Sequence, residues 1–126
     1  FIDNLYSSRC FVIWDKGPSM KNRSFSECEF LWTSFDSSSK IFVYDSTTPD
    51  SIKIHPTQKP IALYRWILQN YAKPNDKIID THSGSGSLAC ACHLENFDFL
   101  AIEKDEDYFK SSVERLETLR SQGRLF

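Results

Sequence analysis

Residues 77–103, "KIIDTHSGSGSLACACHLENFDFLAIE", constrain the fold more than any other stretch of this chain. "KIID" (77–80) reads as a short apolar strand, "SLACACHLEN" (87–96) as a short helix of small residues, and "FDFLAIE" (97–103) as a second strand. This order is a β-α-β unit. It dictates parallel strands and a right-handed crossover, because a right-twisted strand feeding a right-handed helix packs back onto its sheet only that way. Between the first strand and the helix lies "DTHSGSGS" (80–87), a loop with little side-chain bulk. Ligands of open α/β sheets bind at such loops, at the carboxyl ends of parallel strands. Gly84 and Gly86 let a ligand come close to the backbone and can take a positive φ. The N–H groups that open the helix favour negative charge.

Three ligands compete for such a loop. A nucleoside triphosphate wants G-x-x-x-x-G-K-[ST], and no lysine follows Gly86. A dinucleotide wants G-x-G-x-x-G/A, which Gly84, Gly86 and Ala89 formally meet. S-adenosylmethionine would use the loop for its amino-acid end and ribose. Glu103 serves either of the last two, since a carboxylate ending the next strand accepts hydrogen bonds from both ribose hydroxyls. Asp80 discriminates better. It would attract the charged amino group of a methionine and repel a pyrophosphate.

The remaining elements follow from periodicity. "CFVIWD" (10–15) is almost continuously apolar and suits a strand covered on both faces. Residues 16–27 form a loop. "EFLWTSF" (29–35) and "KIFVYD" (40–45), separated by "DSSS" (36–39), read as a hairpin. Residues 46–60 carry three prolines and read as extended chain. From Pro60 onward, Ile61, Tyr64, Leu68 and Tyr71, with Leu63 and Ile67 beside them, make one face of a helix that "KPND" (73–76) ends. A final helix covers 105–122, with Asp105 as its N-cap. Its apolar side carries Tyr108 or Phe109, Val113, Leu116 and Leu119. The expectation is one α/β domain, with a strand-and-hairpin region at 1–54 and a cofactor-binding half at 55–126.

Two motifs in this order, "HPTQKP" (55–60) and then "DTHSGSGS" (80–87), followed by "IEKD" (102–105), resemble the DNA amino-methyltransferases that modify adenine N6 or cytosine N4. The arrangement is similar to the permuted class of that family, in which the cofactor half follows the catalytic half, and "FVIWDKG", "FSECEFLWTS" and "KIFVYD" fit the strands between the halves. The resemblance covers nearly the whole chain. It implies a Rossmann-like, S-adenosylmethionine-dependent methyltransferase sheet, DNA methylation of the restriction-modification type, and a cytoplasmic enzyme of bacterial or phage origin. By the same resemblance His55, Thr57, Lys59 and Pro60 contact the methionine end of the cofactor. Asp80, Ser83, Gly84, Ser85, Gly86 and Ser87 wrap its amino-acid moiety, and Glu103 binds the ribose. Many relatives carry an aromatic residue where His82 or Ser83 stands here.

Such enzymes use a D-P-P-Y-like tetrapeptide. Its acid and a backbone carbonyl accept hydrogen bonds from the exocyclic amine, and its aromatic ring stacks on the base flipped out of the duplex. This chain has no acid or serine followed by Pro-Pro and an aromatic residue. The expectation is therefore a carboxyl-terminal portion of an adenine-N6 enzyme, incomplete at its N-terminus, that holds the cofactor pocket and no catalytic residue; the alternatives are a cytosine-N4 enzyme or a non-catalytic remnant or subunit that binds a nucleotide cofactor. The chain would not methylate DNA alone. A strand carrying the missing motif would pair within this sheet, so its loss predicts an open edge that a homodimer could cover.

Composition narrows the partners. A net charge of −2 gives no strong positive field for a self-sufficient nucleic-acid binder. The basic residues placed toward DNA are Lys16, Lys21, Arg23, Lys40 and Lys53, and they predict weak, salt-dependent binding. No apolar run approaches the ~20 residues of a membrane span. Cys10, Cys28, Cys90 and Cys92 lack C-x-x-C spacing and read as core-filling thiols of a reducing cytoplasm, with no metal. The closing "QGRLF" resembles the short extended peptides that dock on bacterial sliding clamps, with Gln122 at a pocket rim and Leu125 and Phe126 inside it.

Overall fold

The computed structural model describes residues 5–47, 55 and 57–123. The chain divides into two compact units, Phe1–Thr48 and Pro49–Phe126. The first holds strands β1 (Phe11–Asp15), β2 (Cys28–Trp32) and β3 (Lys40–Val43), with a short 3₁₀ turn at Pro18–Met20. The second holds helix α1 (Ile61–Tyr71), β4 (Lys77–Asp80), α2 (Ser87–Leu94), β5 (Asp98–Ala101) and α3 (Glu106–Gly123).

In the first unit the sheet order is β2-β1-β3. β1 pairs antiparallel with β2, Ile13 opposite Phe30, and parallel with β3, Ile13 beside Ile41. The expected hairpin between β2 and β3 does not form, because β1 lies between them. Residues 33–39 instead pass the start of β1 and are tied to it. Thr33 Oγ1 donates to the Cys10 carbonyl at 2.6 Å, and Ser39 Oγ accepts the Phe11 amide at 2.9 Å. β1 takes the centre as the strand with most to bury. Val12 and Trp14 are buried while Phe11 and Ile13 are only half-buried, so one face is covered more fully than a two-sided reading predicts. The Trp14 indole N–H donates to the Tyr44 carbonyl at 2.9 Å, which satisfies its one polar group.

The second unit is built around the parallel pair β4–β5, Ile79 beside Leu100. Only one face of each strand is packed. Ile78 and Phe99 pack against a core of Leu68, Ala91 and Cys92, with Ile61, Tyr64, Leu88 and Phe97 around it. Leu63 and Leu68 are the buried residues of α1, and burial of each contributes about 1.5–3 kcal/mol. Pro60 stands at the N-cap of α1 and is itself buried.

α2 is short and buried on most sides. Ser87, Ala89, Cys90, Ala91 and Cys92 all lie inside, so Cys90 and Cys92 fill the core here as Cys10 does in the first unit, whereas Cys28 is only half-buried. Burial, with a smaller contribution from the Asp80 carboxylate, pushes the Cys92 thiol up to about 11. The helix ends in a left-handed turn at Asn96, φ 60°, where the Phe97 amide reaches the Cys92 carbonyl at 2.9 Å. Asp105 caps α3 through Oδ1, which accepts the amides of Asp107 and Tyr108 at 3.0 Å each. Among the described residues, no helix is long and apolar enough to cross a membrane.

Candidate cofactor site

The site begins where the β4–β5 ladder runs past its strands. The Ile102 amide donates to the Asp80 carbonyl at 2.8 Å, and the Ser83 amide to the Ile102 carbonyl at 2.9 Å. These bonds pin the first half of the glycine loop over the carboxyl ends of both strands. The loop then turns tightly, with the Gly86 amide on the Ser83 carbonyl at 2.8 Å. Gly84 and Gly86 both have positive φ, 50° and 75°. Gly86 has a second reason to be glycine. A Cβ there would stand 2.9 Å from the Ser112 Cβ of α3.

Glu103 closes the loop from the other strand. Its Oε2 accepts the Gly84 amide at 2.8 Å and its Oε1 accepts the Asp105 amide at 2.9 Å. Those two amides, Asp105 first, hold its carboxyl below the ordinary glutamate value.

The proline-flanked segment meets this loop from outside. The His55 ring lies over Gly84, where an added Cβ would be 3.6 Å from Cδ2, and packs at 4.4 Å against the ring of Tyr108. His55 Nδ1 receives the Thr57 amide at 3.2 Å and faces Thr57 Oγ1 at 3.0 Å, so Nδ1 is the acceptor of the pair. The Ser87 hydroxyl donates to the Lys59 carbonyl at 2.8 Å and so joins the segment to the start of α2.

Together these parts enclose a cavity of about 290 Å³. It is lined by His55, Thr57, Gln58 and Lys59 of the proline-flanked segment, by Ser83, Gly84, Ser85 and Ser87 of the glycine loop, and by Glu103. Tyr64 and His82 complete the wall. Eight of the eleven cofactor positions implied by resemblance therefore share one cavity, and three do not line it. Pro60 is buried at the start of α1. Gly86 is spent on the turn and on contact with α3. Asp80 accepts the His82 amide on Oδ1 at 3.1 Å, which makes it a staple of the loop.

Sequence reasoning missed Gln58, Tyr64 and His82 as lining residues. Gln58 and His82 lay inside the quoted motifs, and Tyr64 was assigned only to the core face of α1. It also missed Tyr108 and Arg115 behind the loop. Arg115 Nη1 donates to Ser87 Oγ at 2.8 Å, to the Ser85 carbonyl at 3.2 Å and to Ser85 Oγ at 3.3 Å.

The other assignments fare unevenly. Lys16 pairs with Glu29 at 3.0 Å and lies over the Trp14 ring. Lys21 and Arg23 are exposed. Lys53 lies outside the described residues. Gln122 belongs to the last turn of α3 and is helical, not extended. Leu125 and Phe126 lie outside the described residues.

Comparison with known proteins fits this geometry. The family model described as DNA methylase, for N6 and N4 enzymes, matches residues 7–114. Type II methyltransferase M.HpaI of Haemophilus parainfluenzae is 35% identical over 66 residues, 52% of this chain and 21% of that protein. DNA adenine methyltransferase YhdJ of Escherichia coli K12 is 32% identical over 68 residues, 54% of this chain and 23% of that protein. The chain thus spans about a fifth of the length of these curated relatives. Among solved structures, an M1.HpyAVI–SAM complex superposes with a TM-score of 0.62 at 26% identity, covering 84% of this chain and 60% of that one. A second M1.HpyAVI structure, at 22% identity and a TM-score of 0.58, shows the fold alone and covers 84% of this chain and 58% of that one. A glycine loop closed by Glu103, faced by a proline-flanked histidine segment and matched by one family model over most of its length, places this chain in the N6/N4 DNA methylase family.

Proposed function

We propose that this chain is the cofactor-binding portion of an S-adenosylmethionine-dependent DNA methyltransferase that acts on adenine N6. The observation that carries the reading is the convergence of His55, the Ser83–Ser87 loop and Glu103 on one cavity. The residues fit the cofactor chemically. Each Glu103 oxygen accepts one backbone amide and keeps acceptor capacity for a ribose hydroxyl. Gly84 leaves space on the cavity wall, and the amides opening α2 favour a carboxylate. When bound, the cofactor supplies a sulfonium methyl for transfer to a nitrogen nucleophile. The contribution of this chain is to orient the ribose through Glu103, to hold the amino-acid end against the loop, and to pack His55 over Gly84.

Adenine as the target base is supported by YhdJ, which is named a DNA adenine methyltransferase. The chain has no D-P-P-Y-like tetrapeptide, so it should transfer no methyl group to DNA by itself. A tritiated-methyl assay on mixed-sequence DNA checks this, and robust incorporation would place catalytic residues within these 126 positions.

Two further partners belong to the same proposal. A second copy would cover an open sheet edge, checked by sedimentation. A sliding clamp would take Gln122, Leu125 and Phe126, which requires the last turn of α3 to unwind. Equal retention of the wild type and a Leu125→Ala/Phe126→Ala variant on a purified clamp would remove that idea.

Calorimetric titration with S-adenosylhomocysteine and with NAD tests the cofactor assignment. The former should bind and the latter should not. The opposite preference would return the loop to the dinucleotide reading.

A further inference from the structure

We propose that Arg115 is a positioning residue for the amino-acid end of the cofactor, an inference that rests on the cofactor reading above. Arg115 lies half-buried on α3, outside every motif of the site. Its Nη1 nevertheless reaches three oxygens of the glycine loop: Ser87 Oγ, the Ser85 carbonyl and Ser85 Oγ.

The hydrogen-bond roles follow by elimination. Ser87 Oγ is 2.8 Å from the Lys59 carbonyl, which can only accept, so the Ser87 proton goes there. Ser87 Oγ must then accept from Arg115, and from Ser85 Oγ at 3.2 Å. One buried serine hydroxyl thus carries bonds from α3, from the loop and to the proline-flanked segment. Ser85 and Ser87 are 4% and 3% exposed, so water cannot readily replace a lost partner. A charged donor makes such bonds roughly twice as strong as a neutral one.

The contact is also supported sterically. Ser112, one helical turn before Arg115, packs so closely that Gly86 has no room for a Cβ. Arg115 and Ser112 together press the second half of the loop into its turn. The first half is held separately, by Glu103 on Gly84 and by the ladder bonds to Ile102. The site therefore has two supports. Glu103 serves the ribose side. Arg115 sets Ser85 and Ser87, the side assigned to the amino-acid end.

This division gives a test that a general loss of stability would not mimic. The full chain and its Arg115→Met and Arg115→Lys variants are titrated with S-adenosylhomocysteine and with 5′-methylthioadenosine, which keeps the ribose and base and lacks the amino acid. Arg115→Met should bind S-adenosylhomocysteine about tenfold or more weakly, the scale of a lost charge-assisted hydrogen bond. Its binding of 5′-methylthioadenosine should change less than about threefold. Arg115→Lys keeps the charge and a donor, and should fall between wild type and Arg115→Met. Should Arg115→Met fail to fold, the Lys variant carries the same comparison. Equal weakening for both ligands would make Arg115 a plain structural residue, and unchanged affinity would remove it from the site; either result overturns the inference. A wild-type chain that binds neither ligand contradicts the cofactor reading itself, and this inference with it.

Discussion

Glu103 and Gly84 hold each other across the ends of two parallel strands, the Gly84 amide donating to Glu103 Oε2 at 2.8 Å. The bond makes one carboxylate both a brace for the glycine loop and an acceptor facing the cavity. Glu103→Gln keeps the shape but offers only one accepting atom, so either Gly84 or Asp105 loses its partner. The variant should bind S-adenosylhomocysteine at least about tenfold more weakly, in line with loss of hydrogen bonds to a charged acceptor. Calorimetry checks this, and wild-type affinity in the variant would remove Glu103 from the site.

The same bonds predict a pH dependence. They favour the ionised carboxylate, so the folded-state pKa lies below the unfolded one. The stabilisation is fully present above the ordinary glutamate value of about 4.3 and is lost as pH falls through the lower folded value. The difference in thermal midpoint between wild type and Glu103→Gln should therefore narrow on acidification. A difference independent of pH would contradict the assignment.

The two loop glycines should separate under substitution. Gly86→Ala places a Cβ at 2.9 Å from Ser112 at a φ of 75°, combining a clash with a left-handed backbone, and should destabilise by about 1–3 kcal/mol. Gly84→Ala meets only the His55 ring at 3.6 Å and should lose about 1–2 kcal/mol from the backbone alone. Binding should follow the other order, because Gly84 lines the cavity and Gly86 does not. Chemical denaturation and calorimetry on both variants check the crossing.

The cysteines should differ in reactivity toward a thiol reagent at about pH 8. The Cys92 thiol, pushed up to about 11, and the buried Cys10 and Cys90 should resist, while half-buried Cys28 reacts first. Mass spectrometry of timed samples reads the order. Modification of Cys92 at the rate of Cys28 would show that α2 is not buried as described.

What could be read from the sequence followed from local physics. β4 falls on the predicted 77–80, and α1 and α3 form where their periodicities start and stop them, because a regular apolar spacing and a proline or aspartate start depend on near neighbours alone. The packed side of α3 differs from the expected one, since Val113 is exposed while Ser112 and Arg115 are half-buried. The hairpin of β2 and β3 failed for a tertiary reason. The "DSSS" spacer suits a tight turn, but the choice of neighbours in a sheet depends on which strand most needs covering, and β1 won the centre. The glycine loop, Glu103 and His55 stand in recognisable spacings, and the fold brings them to one cavity. Asp80 stands at the strand end that its position predicts, and its Oδ1 accepts the His82 amide, a choice of rotamer that no spacing reveals. Arg115 was invisible for the opposite reason. An arginine on a charged, amphipathic helix reads as a solvated face until the fold brings it to Ser85 and Ser87.

The most direct test of the central claim is a crystal structure of this chain with S-adenosylhomocysteine. The account predicts both ribose hydroxyls on the Glu103 carboxylate and the homocysteine end against the Ser83–Ser87 loop beneath His55. A nucleoside bound elsewhere, or one whose ribose turns away from Glu103, would contradict it.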